Sequence, residues 1–478
     1  MRRAPKKVVV LELNEITWDL IDPLIEQGKL PTFARLKREG TTAAPMSVDL
    51  PPQLDPWITW TTLYTGRTQN EHNLYFLQQP PESIRAKRVW EICAEAGMSV
   101  GVYGSLCSWP PRVVAGFYVP DTFAQDPATY PAGLRPIQEL NLTYTRSVRL
   151  PADQDTLWFK ARLGAKLVAL GLRAETASRI ARQLALERRD SNMRWRRVAL
   201  QPLVNFDFFS RLYRGHRPRF ATFHSNHVAH YQHTYWKAMR PELYPQETTP
   251  EESRIYGGAI EHGYRVADQL LGRMLDLIDR DTVLVIASSM GQQPFIAGNK
   301  SGRAINEVRS LDNLLKIIGV ESARALAMMS DQFNIYAGSA EEREFIMRAL
   351  QSVYVDREEQ PMFYAYAVED SITVNLRPYI EATESSRCYF PHMGRDKSFA
   401  YEELVYTTGG TKSGRHDPKG VMMLYGAGIA RGGHIQECNN LDIAPTLLTL
   451  MGLDAPAEMK GRVLEEAMTE ATAHALAS

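Results

Sequence analysis

Residues 8–15 read VVVLELNE, and this stretch decides the fold. Val8–Leu13 is short, β-branched and mostly apolar, which is typical of a strand buried on both faces in a parallel sheet. Asn14 and Glu15 follow it directly. Because ligands of open α/β sheets bind beyond the carboxyl ends of the strands, these two polar residues are the first candidates for a functional site.

The segments that follow alternate between helical and strand patterns. Pro31 breaks the first helical segment and Gly40 ends it. In chain order, the pattern predicts helices within 17–39, a helix at Val89–Ala96, a strand at Ser99–Tyr103, a strand at Phe220–Phe223, a helix at 259–279, strands at Thr282–Ala287 and Gly420–Leu424, and a helix near Ile443–Met451. This order is typical of an α/β fold with a doubly wound sheet.

Two regions interrupt the alternation. Residues 150–205 are rich in Arg, Ala and Leu, with no proline between Pro151 and Pro202, which favours helices, whereas 332–376 favours a strand, a helix and a strand. The arginines of Arg188–Arg197 form either a solvated helix face or a surface for an anionic ligand or partner. We therefore predict an α/β core at 1–125, 215–300 and 400–478, a helical insertion at 126–214 and an α+β cap at 301–399.

Composition excludes several classes of protein. The chain has 478 residues, 55 Lys and Arg against 55 Asp and Glu, and 44% hydrophobic residues, which is typical of a globular protein and not of one that binds nucleic acid through a global basic field. The four cysteines form no CxxC pair, so a disulfide scaffold or zinc knuckle is not expected. The apolar run Val8–Leu11 is too short for a secretory signal, and no stretch reaches the ~20 apolar residues of a membrane span. We therefore expect a cytoplasmic protein.

Histidines concentrate at the end of the predicted strand Phe220–Phe223. They are His224, His227, His230 and His233. On a helix, a spacing of three keeps the last three roughly on one face, where imidazoles bind a metal or transfer protons. The alternative interpretation is a hydrogen-bonded start of a helix, with some of these histidines packed in the core.

The order of the motifs resembles the alkaline phosphatase superfamily, specifically its type I phosphodiesterase/nucleotide pyrophosphatase branch. The segments that carry the resemblance are Val8–Asn14, Gly28–Leu36, Thr61–Gly66, Glu71–Asn73, Gly414–His416 and Asp442–Leu448. The resemblance implies an alkaline-phosphatase-like mixed sheet flanked by helices. It also implies two metal ions, usually zinc, around a Thr or Ser nucleophile that attacks phosphorus.

Most of the metal ligands that the resemblance implies are replaced in this chain. The first metal's Asp-x3-His and distant His fall on Asn226, His230 and His416. The second metal's Asp, nucleophile and Asp-His pair fall on Asn14, Pro56 and Ser289-Met290. An amide, a proline and a thioether do not offset the desolvation of a zinc ion as carboxylates do. The resemblance therefore implies a divergent member with one divalent ion, zinc or manganese, or none.

New polar groups stand beside the replaced ones. Asp55 is either the N-cap of a helix that begins at Pro56 or a replacement carboxylate facing His230 and His416. The candidate catalytic residues are His227, His230, His233, Glu15, Asp55 and Thr59; the candidate substrate-binding residues are Asn14, Trp57, Ser289, Gln292, Lys412 and Ser413; the candidate metal ligands are Asn226, His230 and His416. Trp57, Trp60, Trp109 and Trp236 either line the pocket or pack in the core.

These residues favour a divergent phosphodiesterase- or phosphatase-like enzyme that acts on a phosphoester or related ester. Its chemistry would use at most one metal ion or metal-free acid–base catalysis by histidine and carboxylate. The expected partner is a small-molecule substrate, nucleotide- or sugar-linked. The alternative is a catalytically silent pseudoenzyme that binds a ligand or partner. Hydrolysis, transfer and lyase chemistry all stay open at this point.

Overall fold

The computed structural model describes residues 6–51, 53–77, 79, 81–145, 165–296, 304–328, 332–356, 360–368, 371–377, 380, 382–383 and 385–472. The chain divides into two compact units. The first consists of Met1–Pro241, Thr248–Pro294 and Gly414–Ser478, and the second of Glu242–Glu247 and Phe295–Ser413. Each unit contains a hydrophobic core of its own.

The strands follow the order of the sequence patterns. They are β1 (Lys7–Leu13), β2 (Thr41–Ala43), β3 (Val100–Tyr103), β4 (Phe117–Val119), β5 (Phe220–Ser225), β6 (Thr282–Ser288), β7 (Gly291–Pro294), β8 (Ala304–Val308), β9 (Arg324–Ala327), β10 (Gln332–Tyr336), β11 (Tyr354–Val355), β12 (Phe363–Val368), β13 (Ser371–Leu376), β14 (Arg387–Tyr389), β15 (Ser398–Ala400), β16 (Val405–Thr411), β17 (Gly414–Asp417), β18 (Val421–Gly426) and β19 (Gly433–Ile435).

The helices alternate with these strands. They are α1 (Trp18–Glu26), α2 (Pro31–Glu39), α3 (Pro56–Thr65), α4 (Gln69–His72), α5 (Val89–Glu95), α6 (Arg135–Thr145), α7 (165–170), α8 (Ala174–Arg189), α9 (Leu200–His216), α10 (His227–Met239), α11 (Pro250–Tyr256), α12 (Ala259–Leu277), α13 (Leu311–Ile318), α14 (Ala340–Gln351), α15 (Tyr401–Leu404) and α16 (Ile443–Leu450). Part of the region predicted as helical, 146–164, lies outside the described residues.

An eight-stranded sheet in the order β19-β2-β18-β6-β1-β5-β3-β4 forms the centre of the first unit. Residues Val8–Leu13 of β1 are all buried, as expected for an apolar, β-branched strand with neighbours on both sides. β1 pairs in parallel with β5 and β6, whereas β18 runs antiparallel between β6 and β2. The sheet is therefore mixed, and the predicted α/β fold is confirmed.

The carboxyl ends of β1, β5 and β6 meet at one edge of this sheet. Leu13 pairs with Ser225 and Glu12 with Ala287, so the chain leaves the three strands at adjacent points. The prediction placed the end of β5 at Phe223, but the strand extends to Ser225 and includes His224. Beside this edge, β17 pairs with β7 and sets His416 opposite Gln292.

Two helices begin near this edge because of local sequence signals. α3 starts with Pro56, which needs no backbone hydrogen-bond donor in the first turn, and ends at Gly66, whose φ of 60° is left-handed. α10 starts at His227, directly after β5. These two helices bring Asp55 and the histidine segment to the same edge.

The second unit is built around a four-stranded antiparallel sheet in the order β12-β13-β10-β9. Its core contains apolar residues from α13 and α14 and from the sheet itself, among them Leu315, Ile335 and Ile346. Across the described part of both units, the helices are too short or too polar to cross a membrane.

Candidate functional site

The chain turns sharply where β1 ends. The amide of Asn14 donates to the carbonyl of Ser225 at 3.0 Å and so continues the strand, but Glu15 has a φ of 60°. Left-handed backbone is uncommon for residues other than glycine and concentrates at functional sites. The turn brings Asn14 Nδ2 to 3.0 Å from Glu15 Oε1, so two neighbouring side chains enter the same space.

Glu15 is a buried carboxylate surrounded by hydrogen-bond donors. His233 Nε2 lies 2.9 Å from its Oε2, and Gln292 Nε2 donates to the same oxygen at 2.5 Å. Burial alone raises the pKa of Glu15. The charges of His233 and His416 and the hydrogen bonds from His233 and Gln292 outweigh this effect and lower the pKa to about 2. The carboxyl group is therefore ionised at neutral pH.

The hydrogen bonds of His416 determine which of its two ring nitrogens faces Glu15. Its Nδ1 lies 2.6 Å from the carbonyl oxygen of Leu54, and because a carbonyl only accepts, Nδ1 carries the proton. Nε2 is then the atom directed at Glu15 Oε1, at 3.7 Å. Asp55 Oδ1 lies 3.7 Å from Nδ1 on the other side of the ring. In metal-binding histidines, the ring nitrogen that does not bind the metal usually donates its proton to a carbonyl or a carboxylate.

Three of these side chains form a group that fits a metal ion. The ligand atoms of Glu15, His233 and His416 lie within 4.8 Å of one another. One carboxylate with two imidazoles suits zinc or manganese. The 3.7 Å between Glu15 Oε1 and His416 Nε2 is close to the roughly 3.3 Å that separates two ligands of one tetrahedral zinc ion.

The positions expected to hold the family's second metal have a different chemistry. Asn14 Oδ1 accepts the indole N–H of Trp60 at 2.8 Å, and its Nδ2 donates to Asn226 Oδ1 at 2.7 Å. Ser289 Oγ lies 2.7 Å from Thr59 Oγ1, and Met290 is buried. Amides, paired hydroxyls and a thioether supply none of the charge that a divalent ion requires, so these residues do not fit a second ion.

α10 does not bring the three predicted histidines together. His227 is buried, with Ser225 Oγ at 2.8 Å from Nδ1 and the Gly263 carbonyl at 3.0 Å from Nε2. Burial lowers its pKa to about 4. His230 is exposed to solvent, and only His233 contacts Glu15. Each step of three residues falls about 60° short of a full helical turn, so the rings diverge.

The remaining candidates lie in three different settings. Trp57 and Trp60 are buried, and the indole N–H of Trp57 donates to the Tyr75 carbonyl at 3.0 Å, so these rings do not form open walls. Asp55 precedes α3 but its side chain makes no capping hydrogen bond. Lys412 and Ser413 belong to the second unit.

The sequence did not predict the contacts that Gln232 makes behind Glu15. Gln232 Nε2 donates to the backbone carbonyl of Glu15 at 2.6 Å, and Gln232 Oε1 accepts the hydroxyl of Tyr264 at 2.8 Å. The backbone amide of Thr17 donates to the same hydroxyl at 3.0 Å. The four-residue spacing of Gln232 and Trp236, which places both on one side of α10, was the signal that could have found Gln232.

A second buried carboxylate lies deeper along β1. Glu12 Oε1 accepts hydrogen bonds from Tyr64 at 2.7 Å and Ser105 at 2.6 Å, and Glu12 Oε2 lies 2.8 Å from His224 Nδ1. Among the described residues, these three partners are buried or nearly buried side chains. This cluster accounts for His224, which the sequence grouped with the other histidines.

Comparison with known proteins assigns the sequence to a family. The sequence matches the family described as type I phosphodiesterase / nucleotide pyrophosphatase over residues 8–372. Among curated proteins, none matches the chain.

Similar solved structures include two mammalian proteins and one bacterial protein. Human ectonucleotide pyrophosphatase / phosphodiesterase 5 is 11% identical, covers 97% of this chain and 100% of its own, and has a TM-score of 0.44. The murine protein of the same name is 12% identical, with 97% and 100% coverage and a TM-score of 0.42. Phosphonoacetate hydrolase from Sinorhizobium meliloti 1021, solved with phosphonoacetate, is 14% identical, with 94% and 96% coverage and a TM-score of 0.40.

The family match spans most of the chain and includes β1, which ends two residues before Glu15, and α10, which carries His233; β17, which carries His416, lies beyond the matched residues. This chain therefore belongs to the type I phosphodiesterase/nucleotide pyrophosphatase family.

Proposed function

We propose that this protein is a divergent hydrolase of a phosphoester or related ester and that its centre is formed by Glu15, His233 and His416. The observation that carries the proposal is the convergence of their ligand atoms within 4.8 Å at the carboxyl edge of the sheet. Ligands of open α/β sheets bind at this edge. The family membership supports the reaction class.

The centre would hold one divalent ion, zinc or manganese, on Glu15, His233 and His416. When bound there, the ion supplies Lewis-acid polarisation of an ester oxygen. The set differs from the one that the resemblance implied, Asn226, His230 and His416, because it contains Glu15 and His233 and omits Asn226 and His230. A two-metal mechanism is not proposed, since Asn14, Pro56, Ser289 and Met290, the residues at the positions of the second metal's ligands, are all neutral.

The protein's own groups prepare this centre. The Leu54 carbonyl keeps the proton of His416 on Nδ1 and leaves Nε2 directed at Glu15. The amides of Asn14 and Gln292 donate to the two oxygens of Glu15, which keeps the carboxylate charged in a buried place. Thr59 and Ser289 are buried and paired with each other, so we propose that water, and not a side-chain hydroxyl, is the attacking group.

Metal-free acid–base chemistry is the second candidate, and one contact favours it. Glu15 Oε2 and His233 Nε2 are at hydrogen-bond distance, 2.9 Å. If the carboxylate accepts the Nε2 proton, Nδ1 of neutral His233 becomes the atom that takes a proton from water. This is the relation between carboxylate and imidazole that general-base catalysis uses.

The decisive experiment compares metal content and hydrolysis in matched variants. Chelated wild type, Glu15→Gln, His416→Ala and the control His434→Ala, whose ring contacts Thr42, are equilibrated with zinc or manganese and analysed by mass spectrometry. We expect one ion per wild-type and control chain, and cation affinity reduced more than about 100-fold in the two site variants. Hydrolysis of bis(4-nitrophenyl) phosphate should follow the ion content.

Other outcomes separate the alternatives. Hydrolysis that survives chelation but is lost in Glu15→Gln and His233→Ala would favour the metal-free route. A third outcome is that the protein hydrolyses none of the nitrophenyl phosphodiesters, nucleotides and sugar phosphates, with or without metal. This result would contradict the proposed hydrolase activity and favour a ligand-binding pseudoenzyme. The same panel of nucleotide- and sugar-linked esters tests the proposed small-molecule substrate.

A further inference from the structure

Trp236 is linked to the candidate centre through Gln292. Its indole Nε1 donates to Gln292 Oε1 at 3.1 Å, and Gln292 Nε2 donates to Glu15 Oε2 at 2.5 Å. Both Trp236 and Gln292 are buried. A chain of two hydrogen bonds therefore connects α10 to the carboxylate through a residue of β7.

The chemistry of the indole fixes the direction of this chain. An indole nitrogen is a donor only, so the Gln292 atom that faces Trp236 must be the carbonyl oxygen. The amide nitrogen must then face Glu15. If the amide rotated by half a turn, Gln292 would set its oxygen against the carboxylate and lose a buried hydrogen bond at both ends.

The backbone pairing of β7 does not set the orientation of the Gln292 side-chain amide. β7 pairs with β17, which fixes the main chain of Gln292 opposite His416. The terminal torsion of a glutamine side chain is broad and two-fold, so pairing of the strands does not set it. The indole, which only donates, and the carboxylate, which only accepts, both disfavour the second orientation.

Gly414 makes the contact possible. A Cβ atom at this position would lie 2.3 Å from Gln292 Oε1 and 2.8 Å from Trp236 Cδ1. No side chain fits there without moving one of the two groups. The glycine that precedes His416 by two residues therefore leaves room for the indole and the amide to meet.

We propose that Trp236 is a positioning residue: through Gln292 it keeps an N–H directed at Glu15, so that the carboxylate is presented to a bound cation in one orientation. The inference rests on the proposed function for the role of the cation. The hydrogen-bond chain itself involves only side chains of the protein and can be tested separately.

The test is a double-mutant cycle on the full-length protein. Trp236→Phe removes the N–H and keeps an aromatic ring, Gln292→Met removes the amide at similar volume, and the third variant carries both. Trp195→Phe is the matched control, because the indole N–H of Trp195 is buried without a hydrogen-bond partner in the described part of the chain.

Cation binding is measured by calorimetry with Mn²⁺ and by the absorption spectrum of bound Co²⁺. We expect each single change to weaken Mn²⁺ binding by about tenfold and to alter the Co²⁺ spectrum. If Trp236 acts through Gln292, the double variant should be no weaker than Gln292→Met alone. Additive losses, or equal effects of Trp195→Phe and Trp236→Phe, would overturn the proposal.

A metal-free measurement separates this inference from the proposed function. In ¹⁵N spectra of the chelated protein, the side-chain amide signals of Gln292, identified by their loss in Gln292→Met, should move in Trp236→Phe and stay in Trp195→Phe. Unchanged amide signals in Trp236→Phe would reject the positioning role. If the wild type binds no cation, the proposed function fails, and the amide signals alone decide whether Trp236 holds Gln292.

Discussion

Glu15 holds a backbone conformation that glycine adopts readily and glutamate rarely does. The strain is tolerated because both ends of the residue are held: Gln232 binds its carbonyl, and His233 and Gln292 bind its carboxylate. The carboxylate is therefore a fixed charge in a buried place. Neither the left-handed turn nor these partners could be predicted from the residues 8–15, because each depends on a segment distant in the chain.

The charge of Glu15 gives a prediction about acid stability. Its pKa is lowered from 4.5 to about 2 in the folded protein, so its stabilising effect is complete above pH 4.5 and is lost as the pH falls towards 2. Between pH 5 and pH 2, the free energy of unfolding of the wild type should fall more steeply than that of Glu15→Gln, with a full effect on the order of 3 kcal/mol. Denaturant titrations at a series of pH values measure this.

The control for this experiment is Glu26→Gln, a change of an exposed carboxyl group on α1. Its curve should run parallel to that of the wild type. Parallel curves for Glu15→Gln and the wild type would mean that Glu15 does not hold its charge through the two histidines.

Gly414 gives a prediction about close packing. In Gly414→Ala, the added methyl group would lie 2.3 Å from Gln292 Oε1 and 2.5 Å from the Gln232 carbonyl. We expect a loss of about 1–3 kcal/mol of stability, measured by denaturant unfolding, together with weaker cation binding. Gly215→Ala on α9, where a Cβ would meet nothing within 4 Å, should cost nothing. Equal stabilities of the two variants would contradict the close packing of Gly414 against Gln292 and Gln232.

At the scale of elements, three buried or half-buried side chains of α10 each bind a different partner. His227 faces Gly263, Gln232 faces the backbone of Glu15, and His233 faces its carboxylate. The helix could be predicted from the sequence, since it follows a strand and has no breaker. The histidine spacing could not show which ring would reach the centre, because that depends on how α10 rotates against β1 and β17.

Tyr264, which lies on α12, contributes to stability through its contact with Gln232, which binds the backbone of Glu15. Tyr264→Phe removes a hydroxyl that accepts from the Thr17 amide and donates to Gln232. We expect a loss of about 1–3 kcal/mol, because a buried backbone amide and a buried Gln oxygen lose their partner. Thermal and denaturant unfolding measure the loss.

Tyr235→Phe is the control for Tyr264→Phe, since its ring stacks on Tyr256 and its hydroxyl makes no hydrogen bond with the described residues. Its stability should match that of the wild type. An equally small effect of Tyr264→Phe would show that the Gln232 contact does not depend on the hydroxyl.

The order of strands and helices could be predicted well because the apolar runs of β1, β5, β6 and β18 are bounded by clear turn residues. The exact end of β5 could not be predicted, since the polar residues His224 and Ser225 are drawn into the sheet by pairing with Glu12 and Leu13. Pairing partners, and not local composition, set that boundary. The division into a core, a helical insertion at 126–214 and a cap at 301–399 stays a prediction.

At the scale of the molecule, the two units have separate cores, and the candidate cation ligands all lie in the first. A ligand that binds one folded unit stabilises that unit. Mn²⁺ at 100 times its dissociation constant should therefore add about 2.7 kcal/mol to the stability of the first unit. Hydrogen exchange by mass spectrometry should show slower exchange in β1, α10 and β17.

Peptides from β10, β13 and α14 of the second unit serve as the internal reference for this measurement. Their exchange should not change with Mn²⁺, and Glu15→Gln should remove the protection of the first unit. Uniform protection of both units, or protection that persists in Glu15→Gln, would contradict a cation site at Glu15, His233 and His416.

The left-handed turn at Glu15 has a consequence for how such chains are compared. Two consecutive residues point their side chains into one space, so a negative charge can move by one position along the chain and stay at nearly the same place in the molecule. On α10, His233, three residues after His230, is the histidine that contacts this carboxylate. A comparison that checks residues column by column would score this centre as lost, whereas one that checks where charges lie in space would find a carboxylate between two imidazoles.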